Sequence, residues 1–270
     1  ASFVINDDTN LMENIFNLPY ALNDKYEMYN FPTSSKKMLI ISDIHCPYHD
    51  IEALTECYKY AKKQHIDSIL LNGDTFDFYR LSKFMQDPMK VNLKEELEIG
   101  QKFLDSLQNT FKRCKIYFKV GNHEARLESY LKQKAPELFG LPFFDLSEFL
   151  HLHEHGIEVI DANTIMLYGK LPIIHGHELR MSAGGVNPAR TLYNKFKTSC
   201  VCSHLHRTSD HTEKTGLDKV ISTHSIGCMC DLHPDYARIN NWNTGFGIVS
   251  KDEEGKYEFE NHKIIKGKVY

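Results

Sequence analysis

Five short motifs in a fixed order constrain this chain more than any other feature. They read Asp43-Ile44-His45, Gly73-Asp74, Gly121-Asn122-His123-Glu124, His175 and His204-Leu205-His206. Each is built from residue types that bind divalent transition metals, and four of the five follow strand-like apolar runs. A fold that carries them has to bring the ends of several strands to one place.

The pattern around the motifs predicts that scaffold. Met38 to Ser42 is a continuous apolar run, as expected of a strand covered on both faces. Ile51 to Gln64 has a helical period, with Leu54, Cys57, Tyr58 and Ala61 on one side. Ser68 to Leu71 reads as the next strand, Leu93 to Phe111 as a long amphipathic helix, Lys115 to Val120 as a third strand, and Glu124 to Lys134 as a helix that starts at its motif. This alternation predicts parallel strands with helices outside. The second half differs. It has short strand-like runs at 158–160, 164–168, 171–174, 199–202, 219–226, 245–250 and 257–262, interrupted by one helix over 188–197.

The expected fold class is therefore α/β: two mixed β-sheets packed face to face with helices outside, a four-layer α/β/β/α sandwich. Residues 1–36 are polar and rich in Asn and Asp. They predict an N-terminal arm, with one or two helical turns over Asn10 to Leu18, ahead of a domain spanning 37–270.

Side chains at the carboxyl ends of parallel strands converge on one crevice, and the motif residues sit there. The four-residue pattern Gly-Asn-His-Asp/Glu has a chance occurrence on the order of 10⁻⁵ per position. Two divalent ions about 3.5–4 Å apart need an anionic bridge, and Asp74 in its Gly-Asp turn suits that task. Water between two cations loses a proton near neutral pH and becomes a nucleophile. Asn122 offers a neutral ligand. His123, beside it, is free to face a substrate and protonate a leaving oxygen.

Composition narrows the partners. The formal net charge of −4 supplies no global basic field for nucleic acid. No apolar run approaches the ~20 residues of a membrane span, and the first residues lack a signal-peptide pattern, so no membrane partner and a cytoplasmic location are expected. The seven cysteines include two Cys-x-Cys pairs, 200/202 and 228/230. These read as reduced, buried thiols ahead of a shared structural zinc.

In order and spacing the motifs resemble the calcineurin-like metallophosphoesterase superfamily, over about residues 37–265. Longer stretches at 42–50, 72–79, 121–128 and 228–236 resemble a phage and bacterial branch of it, which points to a phage-encoded protein in a host cytoplasm. The resemblance implies that Asp43, His45 and His206 hold a first metal, that Asn122, His175 and His204 hold a second, and that Asp74 bridges them. It implies that His123 assists the leaving group beside an acidic partner, Asp77 or Glu124. Arg126 and His177 are candidate substrate contacts. The cofactors implied are two divalent transition-metal ions, manganese first, with iron, zinc, nickel or cobalt as alternatives. One position departs from the family: Ser203 stands where glycine usually precedes the last His-x-His. The loops 79–91 and 141–156 are expected to shape the pocket.

The function expected is hydrolysis of phosphoesters, with nucleotide or nucleic-acid diesters as first choice of substrate. Monoesters, including phosphoproteins, are the alternative. A non-catalytic scaffold on the same fold is the reading from a different class. No protein partner can be named from the sequence.

Overall fold

Leu39 and Ile41 point to one side of the first long strand and Met38 and Ile40 to the other, and all four are buried. A strand buried on both faces needs a layer on each side of its sheet. The computed structural model, which describes residues 16–17, 19, 26–181 and 185–270, supplies those layers. The helical turns expected over Asn10 to Leu18 fall almost wholly outside the described residues.

Along the chain come β1 (Tyr29–Asn30), β2 (Lys37–Ile41), α1 (Ile51–Lys63), β3 (Ser68–Asn72), α2 (Leu93–Thr110), β4 (Lys115–Lys119) and α3 (Ala125–Lys134). Then follow α4 (Leu146–Phe149), β5 (Glu158–Ile160), β6 (Met166–Tyr168), β7 (Leu171–Ile173), α5 (Pro188–Phe196) and β8 (Cys200–Cys202). The chain ends with β9 (Ser209–Lys214), β10 (Val220–Ser225), β11 (Gly245–Lys251), β12 (Tyr257–Ile265) and β13 (Lys268–Val269). One sheet has the order β13-β12-β11-β2-β3-β4-β5 and the other β1-β6-β7-β8-β10-β9. Both are mixed: β2, β3, β4 and β5 run parallel in the first, and β7, β8 and β10 in the second.

The two sheets meet through Met38, Ile40, Leu70 and Tyr117 on one side and Met166, Tyr168, Ile173 and Val201 on the other. The outer face of the first sheet, with Leu39, Ile69, Leu71 and Phe118, carries α1, α2 and α3 through Leu54, Leu104 and Leu127. The outer face of the second, with Cys200 and Cys202, packs Leu192 of α5. This is the four-layer α/β/β/α arrangement. Asp50 and Asn92 start α1 and α2 by accepting the N–H groups of Ala53 and Glu95, both at 2.9 Å, the usual N-cap bond.

Three strands differ from the sequence reading. β13, absent from that reading, pairs antiparallel with the end of β12. Tyr29–Asn30, read as part of the arm, pairs parallel with β6, and Phe31 is buried between the sheets. β9, with the sequence Ser-Asp-His-Thr-Glu-Lys, pairs antiparallel with β10. It carries no apolar alternation, because an edge strand is held by ladder hydrogen bonds along one side.

Candidate dinuclear metal centre

Asp43 and His45 follow β2, Asp74 follows β3, and Asn122 and His123 follow β4. His175 follows β7, and His204 and His206 follow β8. All eight stand at carboxyl ends of parallel strands from both sheets, so the centre lies across the top of the sandwich. The turns that carry them are strained. Asp43, His45, Asp74, His204 and His206 have φ between 49° and 66°, a region rarely used by residues with a Cβ. Two glycines make the crowding possible. A Cβ on Gly73, whose φ is +87°, would stand 2.4 Å from His175 Nδ1, and one on Gly121 would stand 2.2 Å from Asp74 Oδ1.

Six of the seven predicted ligands come together, and the seventh, Asn122, stands next to His123 in its turn with its Oδ1 buried. His206 Nε2 lies 3.1 Å from Asp43 Oδ1 and 3.4 Å from His45 Nε2. His175 Nε2 lies 3.3 Å from Asp74 Oδ2, and Asp74, His175 and His204 offer ligand atoms within 4.8 Å of one another. The backbone ties the two halves: His204 N–H donates to Asp43 Oδ2 at 3.0 Å and His123 N–H to Asp74 Oδ1 at 2.9 Å.

The residues fit a pair of cations. Asn122 Oδ1 is buried without a hydrogen-bond partner, which is costly, and Asp43 Oδ1 and His175 Nε2 have only the ion-pair contacts with His206 and Asp74. His175 Nδ1–H donates to the Asn72 carbonyl at 2.6 Å, leaving Nε2 as the free lone pair. Burial works against a charge on His175, but Asp74 and Asp43 outweigh it and lift its pKa to about 10. The same holds in direction for His206 beside Asp43. A proton and a cation therefore compete for these nitrogens.

Asp77 takes the place of the acidic partner. Its Oδ1 lies 2.9 Å from His45 Nδ1 and 3.1 Å from His123 Nδ1, and its carbonyl accepts His123 Nδ1–H at 2.8 Å. Burial would raise the Asp77 pKa, yet the bonds from His123 and His45 hold it well below the usual carboxylate range. His123 moves the other way: burial lowers it, but Asp74 and Asp77 outweigh that and raise its pKa. Glu124, the alternative partner, is corrected to a backbone clamp. Its carboxylate accepts the N–H groups of Asp74 at 3.0 Å, Gly121 at 2.9 Å and Phe76 at 2.9 Å, locking two motif turns together. Arg126 Nη2 stands 3.0 Å from His123 Nε2, and its Nη1 donates to the Asp77 carbonyl at 2.8 Å. His177 is half-buried beside His175 and His204, and burial together with His175 drops its pKa to about 4.

Several residues that the motifs gave no role support the ligands. Ser203, outside the left-handed region, puts its hydroxyl 3.1 Å from His175 Nδ1, accepts Asn72 Nδ2–H at 3.0 Å and donates to the His175 carbonyl at 3.0 Å. The departure from glycine thus adds bonds behind a ligand. Glu178 accepts the N–H groups of His175 at 3.2 Å and Gly176 at 2.6 Å, and pairs at 3.3 Å with Lys119, which is fully buried. Glu96 is fully buried and accepts the N–H of Phe78, next to Asp77. Its signal was a carboxylate on the apolar stripe of α2, in register with Gly100, Phe103 and Leu107.

Two cavities share a wall with the centre. One, of about 470 Å³, is lined by His45, Asp77, Tyr48, Tyr79, Tyr236 and Trp242. The other, of about 630 Å³, is lined by Asn122 and Arg126 with Lys83, Phe84, Tyr130 and Lys134. The 79–91 loop contributes to both. The 141–156 segment, expected to shape the same pocket, instead lines a hollow with Val120, Glu124 and Leu127 that touches none of the seven ligands. Cys200 and Cys202 sit in the apolar cluster under α5, whereas Cys230 Sγ lies 3.9 Å from His206 Nδ1. Among the described residues the two cysteine pairs form no common metal group.

The family model for calcineurin-like phosphoesterases matches residues 36–228. The Gene 54 protein of Mycobacterium phage L5 is 24% identical over 231 residues, covering 81% of this chain and 90% of that protein. The Gene 54 protein of Mycobacterium phage D29 is 25% identical over the same length and shares. Among solved structures, Vacuolar Protein Sorting 29 from Cryptosporidium parvum aligns over 87% of this chain and 95% of its own, with 14% identity and a TM-score of 0.47. Yfce, a phosphoesterase from E. coli, aligns over 80% of this chain and 91% of its own, with 13% identity and a TM-score of 0.37. Scores this low carry no argument about activity.

Proposed function

This chain belongs to the calcineurin-like phosphoesterase family and is a metal-dependent phosphoesterase, and from that premise we propose that it cleaves phosphodiesters of nucleotides or nucleic acid. One observation carries the choice of diester: two separate cavities open beside the centre, one at His45 and Asp77, the other at Asn122 and Arg126. A diester carries a substituent on each side of its phosphorus and uses both. A monoester uses one.

Asp43, His45 and His206 would hold one divalent cation, Asn122, His175 and His204 the other, and Asp74 both. When bound, such a pair, with manganese as first choice, supplies charge to polarise the phosphoryl oxygens and to lower the pKa of the attacking water. The chain's own residues do the rest. Asp77 fixes His123 with its Nδ1 proton turned inward, so that Nε2 faces outward. From Nε2 a proton would pass to the departing oxygen. Arg126, now against Nε2, would bind a phosphate oxygen on leaving that contact, which would release His123. The net charge of −4 argues for short substrates over long polynucleotides tracked along a basic stripe. The two phage relatives support a phage-encoded protein at work in a host cytoplasm.

Turnover of bis(p-nitrophenyl) phosphate and p-nitrophenyl phosphate, compared with manganese present, tests the reading. A higher kcat/KM for the diester is expected. A higher value for the monoester overturns it.

A further inference from the structure

Four aromatic side chains from three separate segments line the cavity beside His45 and Asp77. Tyr48 follows β2, Tyr79 opens the 79–91 loop, and Tyr236 and Trp242 come from the segment between β10 and β11. Trp242 packs edge-on against His206, with ring centroids 4.1 Å apart, and Tyr236 lies 6.2 Å from Trp242. Tyr236 is 74% exposed, so its ring has no partner that fills its faces. Neither cation of the lining is unpaired: Lys90 and Arg238 share the Asp235 carboxylate, Lys90 at 2.8 Å, and Asp77 and Asp231 add two further carboxylates. That ion pair joins the 79–91 loop to the 231–242 segment across the cavity.

Wide aromatic walls, cations already paired and a rim of polar tips suit a flat heteroaromatic ring with hydrogen-bonding edges. They do not suit a second phosphate, which would call for unpaired cations, or an alkyl chain, which would not use the tyrosine hydroxyls. We propose that this cavity is a nucleobase subsite, holding the base of the nucleoside whose phosphate lies at the metal centre, with Tyr236 as the stacking residue and Trp242, whose ring is inclined 62° to it, against the edge of the base. The proposal rests on the phosphodiesterase reading for its role in turnover, but binding of the base stands apart from it. Base–aromatic stacking tolerates any base, so the subsite selects nucleosides over base-free groups without choosing among bases.

The chain contains one tryptophan, and it is Trp242. Its fluorescence therefore reports on this cavity and on His206 behind it, and ribose 5-phosphate is the control for phosphate at the metal centre. Titration with AMP is expected to quench the emission to saturation, and ribose 5-phosphate to leave it unchanged. Tyr236→Ala should weaken the AMP response roughly 10-fold, in line with the loss of one stacked ring, while far-ultraviolet circular dichroism stays native. In turnover, thymidine 5′-(p-nitrophenyl phosphate) should exceed methyl p-nitrophenyl phosphate in kcat/KM, and Tyr236→Ala should shrink that ratio. Equal quenching by AMP and ribose 5-phosphate, or no preference for the thymidine diester, overturns the subsite. If AMP quenches but diesters are not cleaved, the phosphodiesterase reading falls and the subsite stands.

Discussion

The Nε2 atoms of His45 and His206 face each other at 3.4 Å in a buried pocket. His45 is tied through Nδ1 to Asp77, so its Nε2 presents a lone pair. Two imidazole nitrogens this close, with Asp43 Oδ1 beside them, share either a proton or a cation, and a divalent ion bound there would displace the proton. Manganese should therefore raise the melting temperature and EDTA lower it. Binding only to the folded state adds about 2.7 kcal/mol when free metal is 100 times its Kd. Elemental analysis should find two equivalents in the wild type, one in His206→Ala and none in Asp74→Asn, which removes the shared carboxylate. Two equivalents retained by Asp74→Asn would sink the ligand assignment.

His123 is placed to donate a proton without holding metal. His123→Ala should keep both equivalents and lose about 10²- to 10⁴-fold in kcat. Asp77→Asn should act differently. It loosens His45 as well as His123, so metal content should fall along with kcat. Full metal and full activity in Asp77→Asn would refute the orienting role.

Ser203 stands behind His175. Ser203→Ala removes the hydroxyl that links Asn72 to the His175 turn and should cost about 1–2 kcal/mol in urea unfolding. Its manganese affinity should fall roughly 10-fold or more, as for other groups that orient a ligand. Wild-type affinity in the variant would mean that the hydroxyl only fills space.

Glu96 gives a pH signature. Burial pushes its pKa from 4.5 to about 8. The folded state then holds a proton that the unfolded state has lost, so this group's contribution falls as pH rises through that window, by at most ~1.4 kcal/mol per unit. Glu96→Gln removes the titration and keeps an oxygen for the Phe78 N–H. Urea midpoints of variant and wild type should nearly coincide at about pH 4, below the unfolded pKa, and the variant should be the more stable at about pH 9. Parallel curves would show that Glu96 is already ionised when folded.

Much of this molecule was legible from residue order. Apolar runs at Met38, Ser68 and Lys115 had the length of strands covered on both faces, and the structure puts them in the middle of the first sheet. The motif residues could be assigned to strand ends because hydrophobic runs stop where a turn begins. That made a common crevice the economical expectation. β9 escaped because an edge strand needs no apolar face, and Tyr29 and Phe31 because two or three residues are too few to show a period.

The sequence by itself determined which residue types stand at the strand ends and which layers must cover those strands. Backbone period and turn chemistry are local, and they act within a few neighbours. Only the tertiary structure decided that Asp77 rather than Glu124 holds His123, that Ser203 and Glu178 brace His175, and that four aromatic rings from three segments share a wall with His45. Those contacts join residues as far apart as His45 and His206, 161 positions along the chain. They depend on how two sheets pack, and no local pattern carries that information.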